Sequence, residues 1–194
     1  MDETNGSCTA DTPGTSDGTC LAATIASGAK LRFGRLRTQN AYGSELLGLT
    51  VPLDAQYWNG SWQQNTSDTC TSVAVANVNL INYQGGITAV NMGLSHVTAV
   101  APFVAGSSKV SLSKPSPAPT TMGSMDLIVN LGSTGAPITC PTTTPTTPLG
   151  TSTSAALPYL SGRWCTATAY DRDPTARATL GVFKSPLIYR RENY

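Results

Sequence analysis

A chain of 194 residues is long enough for one sizeable core or for two small ones. Twelve Lys and Arg against eleven Asp and Glu leave a formal charge of +1, which argues against nucleic acid or an acidic membrane as a partner. Only 12% of the residues are charged, while Ser, Thr, Asn, 18 Gly and 13 Pro are plentiful, a balance that suits short strands and turns in an exported protein rather than a helical cytosolic enzyme.

Residues 1–28 are a low-complexity Ser/Thr/Gly/Asp stretch carrying Asp2, Glu3, Asp11 and Asp17 and no cation. They read as a flexible acidic arm or linker. Lys30, Arg32, Arg35 and Arg37 follow, alternating with Leu31, Phe33 and Leu36 except where Gly34 shifts the register. This is a strand with a basic outer face, and the glycine predicts a β-bulge. After a turn over residues 40–44, Val51, Leu53, Ala55 and Tyr57 alternate with Pro52, Asp54 and Gln56, the period of a strand with one apolar face. Asn59-Gly60 follows at once, and Trp62 opens the next run. Asn-Gly tolerates the two positive φ angles of a type I′ turn, so a tight hairpin is predicted.

Val73, Val75, Val78 and Leu80 lie among alanines, where a short helix competes with strand and valine favours strand. Gly85-Gly86 ends that section, and residues 87–112 predict two or three short strands interrupted at Gly106-Ser107-Ser108. A proline-rich connection leads to Met125, Leu127, Val129 and Leu131, alternating with Asp126, Ile128 and Asn130. Residues 138–156 are a Thr/Pro tract of extended preference, read as an exposed loop or edge crossing. Beyond the sequence DRDP, Ala176, Ala178, Leu180 and Val182 share one face opposite Thr179 and Phe183, and Leu187 and Tyr189 lead into a last strand. Strands spaced by turns, with no long helical period, predict an all-β fold. The expected architecture is an antiparallel β-sandwich, Ig-like or jelly-roll-like, over residues 29–194, with long Thr/Pro/Gly-rich loops.

The five cysteines stand at 8, 20, 70, 140 and 165 without a C-x-x-C pair, and His96 is the only histidine, so no metal site is expected. Disulfides suit an exported chain. The expected pairs are Cys8–Cys20 and Cys140–Cys165, with Cys70 as the odd thiol. Met1 is followed by acidic and polar residues instead of a basic region and an apolar run. No signal peptide is therefore visible, and an exported protein of this sequence would be a mature fragment or part of something larger. No run approaches transmembrane length, so membrane insertion by this chain is not expected.

Candidate chemistry is sparse. A serine–histidine–carboxylate triad would have to use His96, and no G-x-S-x-G elbow accompanies it. Glutamates occur only at 3, 45 and 192, which leaves little for paired-carboxylate glycosidase chemistry. Asp171 and Asp173 form a D-x-D fragment, but Pro174 follows, which favours a turn into a strand over a calcium loop. Asn5, Asn59 and Asn65 fit the glycosylation pattern, which is common by chance in so Ser/Thr-rich a chain. Tyr57, Trp58 and Trp62 surround the predicted hairpin turn. Such aromatics either cap the core or stack on sugar rings, and alternation sends Tyr57 and Trp58 to opposite faces.

The runs FGRL, NAYGSELL, VPLDAQYWNGSW, SDTC, DPTARATLGVF and IYRRENY resemble the C-terminal domain of unknown function that closes MshQ-type bacterial proteins. Those proteins are named for biogenesis of the mannose-sensitive haemagglutinin type IV pilus. The resemblance runs from Leu31 to Tyr194. It implies an exported, cell-surface or pilus-associated protein without enzymatic activity, and it carries no catalytic residues across. The short loop before DPTARAT departs from the family, and the Thr/Pro tract, Cys140 and Cys165 look particular to this chain. The expectation is a non-enzymatic structural or adhesive module of a bacterial surface appendage, without a cofactor. Its partners would be other copies of itself, through edge strands or the arm, or pilus components. The alternative is a carbohydrate-binding adhesin domain using Tyr57, Trp58 and Trp62 on surface glycans. A mass map of a non-reduced digest is expected to show peptides joined as Cys8–Cys20 and Cys140–Cys165; any other pairing overturns that assignment.

Overall fold

The computed structural model describes residues 32–119, 121–132, 152–164 and 170–181. The chain divides into two units, Met1–Arg32 and Phe33–Tyr194, and apart from Arg32 all the described residues belong to the second. The acidic arm and Cys8, Cys20, Cys140 and Cys165 lie outside the described residues, as do Val182, Phe183, Leu187 and Tyr189.

Nine strands are present among the described residues: β1 Gly34–Thr38, β2 Ala41–Gly43, β3 Leu49–Trp58, β4 Trp62–Gln64, β5 Val78–Gly85, β6 Val97–Val100, β7 Ser107–Leu112, β8 Gly123–Val129 and β9 Thr175–Leu180. Helix is limited to single 3-10 turns at Val75–Asn77, Leu94–His96 and Pro158–Leu160. The helix-or-strand ambiguity after Val73 thus resolves into one of these turns followed by β5. The strands form two sheets, one in the order β1-β3-β7-β6 with β4 also on β3, the other β2-β9-β8-β5. The fold is an all-β sandwich, as the periodicity predicts.

Alternation sorts the residues of β3. Val51, Leu53 and Ala55 are buried, Thr50 is exposed, and Pro52 and Asp54 are intermediate. They meet Leu36, Val110 and Leu112 of their own sheet and Leu80, Met125, Leu127, Val129, Ala178 and Leu180 of the other in one core. Burying a side chain of this size is worth about 1.5–3 kcal/mol, so the stacked inner faces hold the sandwich together.

Four features differ from the sequence expectations. First, β1 pairs with β3 without a register shift, so Gly34 is not a bulge. A Cβ there would lie 3.2 Å from the Gln56 carbonyl oxygen and 3.3 Å from Leu160, so close packing accounts for the glycine. Second, β2 and β9 are parallel in an otherwise antiparallel sandwich. The chain passes from the first sheet to the second through Gln39-Asn40 without reversing, and the Asn40 Oδ1 accepts the Arg177 N–H at 2.9 Å.

Third, β8 is buried on both faces. Met125, Leu127 and Val129 lie in the core, while Asp126, Ile128 and Asn130 on the other side are buried as well. There Asp126 accepts hydrogen bonds from the Arg177 Nε and the Asn82 Nδ2, both at 2.9 Å. The Ser152 hydroxyl accepts from Asn79 at 2.6 Å and from Asn130 at 3.2 Å. The end of the Thr/Pro tract is therefore not simply an exposed crossing. Ser152 is buried, and residues 153–157 bond backbone to backbone with Ala76, Asn130 and Leu131.

Fourth, the hairpin turns trade places. Three residues separate Trp58 from its cross-strand partner Trp62, and of Asn59 and Gly60 only Gly60 takes a positive φ, +78°. The two-residue primed turn occurs instead at Ala105-Gly106, with φ of +50° and +77°, closed by reciprocal bonds between Val104 and Ser107. A side chain at Gly60 would meet open space, whereas a Cβ at Gly106 would fall 2.4 Å from the Asn65 carbonyl oxygen. Gly60→Ala is expected to cost about 1 kcal/mol of backbone strain, and Gly106→Ala about 2–4 kcal/mol of strain plus clash. Urea midpoints measure the pair; equal shifts would show that the approach of Asn65 to Gly106 imposes no constraint.

A candidate aromatic–arginine site

The outer face of the first sheet carries a cluster at the end where β1, β3 and β4 meet. Phe33, Arg35, Gln56, Trp58 and Trp62 come to one side because each occupies the alternate position to the buried set. Phe33 continues the β1–β3 pairing, its carbonyl accepting the Trp58 N–H at 2.9 Å. The Trp62 ring centroid is 5.4 Å from that of Trp58, edge-on, and 5.7 Å from that of Phe33, tilted. Such edge-to-face contacts add about 0.5–1.5 kcal/mol per pair beyond their buried area.

A distant part of the chain completes the cluster. The backbones of Gly162 and Arg172 exchange two hydrogen bonds, at 2.9 and 3.1 Å, and clamp residues 158–164 against residues 170–172. Leu160 packs beside Gly34, which seats this clamp against β1. Tyr170 then stands edge-on to Phe33, with centroids 4.8 Å apart. The Arg35 guanidinium lies over two indoles, 4.0 Å from the Trp62 centroid and 4.5 Å from that of Trp164. Its Nε donates to the Gln56 Oε1 at 2.8 Å. Arg163 adds a cation 5.7 Å from the Tyr170 ring. Burial lowers the Arg35 pKa from its ordinary value, and the neighbouring charge of Arg37 lowers it further, against an opposing effect of Tyr170. An arginine nevertheless stays charged.

The cluster is open to solvent. Phe33 and Trp58 are each 50% exposed and Tyr170 44%. Trp58 and Trp62, singled out from the hairpin, do come together. Tyr57 lies on the opposite face of β3 and is partly buried. Phe33, Arg35, Trp164 and Tyr170 were not singled out. A signal existed for Arg35, on the basic face of its strand, but nothing local links residues 162–170 to β1.

The other candidates fall elsewhere. The His96 ring lies 3.3 Å from the Gly93 carbonyl within its 3-10 turn. Asp173 is buried at the turn into β9, where its carboxylate accepts the Leu131 N–H at 3.0 Å. Asp171 pairs with Arg172 at 3.4 Å. Cys70 carries an exposed free thiol. Among the described residues no group of three or more His, Cys, Asp or Glu is placed to hold a metal ion. Nor, among them, is any helix long and apolar enough to cross a membrane.

The fold and this surface define a β-sandwich domain with an exposed aromatic–arginine cluster. The chain matches the family described as DUF6701, fourth domain, over residues 32–193, and it belongs to that uncharacterised family. No curated protein and no solved structure matches it.

The cluster depends on Gly162, because a Cβ at that position would lie 2.4 Å from the Trp164 Nε1. Gly162→Ala is expected to push the indole off Arg35, alter the near-UV circular dichroism and cost about 1–3 kcal/mol. An unchanged spectrum and midpoint would show that the ring does not rest against the Gly162 backbone.

Proposed function

We propose that this domain is a non-catalytic adhesive module of a bacterial surface appendage, exported and pilus-associated, and that it grips surface glycans through the aromatic–arginine cluster. The observation that carries the reading is the exposure of Phe33, Trp58 and Tyr170 around a positioned guanidinium. Hydrophobic rings normally gain by burial, and rings left half in water beside a cation are suited to stacking against the C–H faces of sugars.

The placement on an appendage rests on the resemblance of the chain to the closing domain of MshQ-type proteins, and the same resemblance supports a position at the C-terminal end of a larger protein. A glycan array tests the reading. The wild-type chain is expected to bind a defined set of glycans. Trp58→Ala and Trp62→Ala are expected to lose about tenfold or more in affinity, equivalent to about 1.4 kcal/mol. A blank array for the wild type overturns the glycan assignment.

A further inference from the structure

The Arg35 guanidinium is a cation packed against two indoles, with no counter-charge among the described residues. Indoles lie over it at 4.0 and 4.5 Å, and Gln56, a neutral amide, takes its Nε. The ion pairs among the described residues are Asp171–Arg172 and Asp126–Arg177, and no carboxylate there pairs with Arg35. Asp54, the acidic residue on the same face of β3, accepts instead from Gln39 and from the Ser107 hydroxyl. The next residue along that face of β1 is Arg37, of the same sign.

With Nε on Gln56, the two terminal amino groups of the guanidinium carry no hydrogen bond to a described residue, and a planar guanidinium is the group that meets a carboxylate with two parallel hydrogen bonds. A partly desolvated cation held in place before any partner arrives gives selectivity at low ordering cost. The rings around it call for a ligand with flat apolar faces, and the charge calls for an acidic one. Nucleic acid offers both, but the near-neutral chain lacks the basic field that a polyphosphate requires.

We propose that the cluster reads acidic saccharides, with the carboxylate of a uronic- or sialic-type sugar on Arg35 and its ring, or the next one, against Trp58 and Phe33. This rests on the glycan reading above and assigns Arg35 as its specificity residue. The rings supply affinity for sugars in general, and the guanidinium selects the charged ones.

The test sets the full chain against acidic oligosaccharides and their methyl esters, which share rings and hydroxyls and differ in charge. Wild type is expected to bind the acids about tenfold or more tightly than the esters, a preference that shrinks as salt is added. Arg35→Gln, checked by thermal melting, is expected to bind acid and ester alike at the affinity of wild type for the ester. Equal binding of acids and esters by the wild type overturns the role of Arg35 and leaves the glycan reading standing. Binding of neither, with a blank array, removes both. Stronger binding of a polyglutamate peptide than of any acidic sugar would assign the site to acidic peptides instead. The acid–ester comparison on unaltered protein decides the matter even if the variant fails to fold.

Discussion

The structure depends on β3. Along its ten residues it pairs with β7 through Leu49–Asp54, with β1 through Leu53–Tyr57, and with β4 through Gln56–Trp58. Its inner residues Val51, Leu53 and Ala55 press into the core shared with Met125, Leu127 and Val129. One strand thus sets the register of three others, and slipping it by a single residue would turn the whole apolar set to solvent. The same constraint puts Trp58 and Gln56 on the outer face, the first exposed and the second covered by its neighbours, since they occupy the positions the core leaves over. The binding surface is in this sense a consequence of how the core is filled.

The second sheet solves a different problem. Its β8 is covered on both sides, so the polar residues between its core positions need partners. Asp126 finds a fork of hydrogen bonds from Arg177, and those bonds, with the attraction of the carboxylate, raise the Arg177 pKa. Asn79 and Asn130 share the Ser152 hydroxyl. A buried carboxylate or amide left unpaired costs roughly 1–3 kcal/mol, so a strand that alternates Met, Leu and Val with Asp and Asn is tolerable only with those partners in place. The return of the chain at residues 152–157 supplies several of them, binding a loop that reads as low complexity into the fold.

The aromatic cluster shows how far local pattern reaches. The pairing of Trp58 with Trp62 follows from a hairpin whose strands were visible, although its turn is three residues long and not the type I′ turn that Asn59-Gly60 suggests. The primed turn formed at Ala105-Gly106, where Asp68 and Asn65 close in on the loop and a glycine is required by contact as well as by φ. Glycine marks a turn at both places, although Ser107 and Ser108 belong to β7 and not to the interruption expected there, and the turn type is decided by what packs against it. Arg35 could be assigned to an outer face but not to an indole stack, because Trp164 reaches it only through the clamp between Gly162 and Arg172.

The amino-acid sequence alone determined the all-β class, most of the strands and the inward residues of β3, β8 and β9. The period of two is a property of the covalent backbone and is visible wherever one face must be apolar. Tertiary structure alone decided that β2 runs parallel to β9, that β8 is covered on both sides, and that Phe33, Arg35, Trp164 and Tyr170 share one surface. Those outcomes arise from packing between segments far apart in the chain, and no periodicity records which distant residues a folded sheet brings face to face.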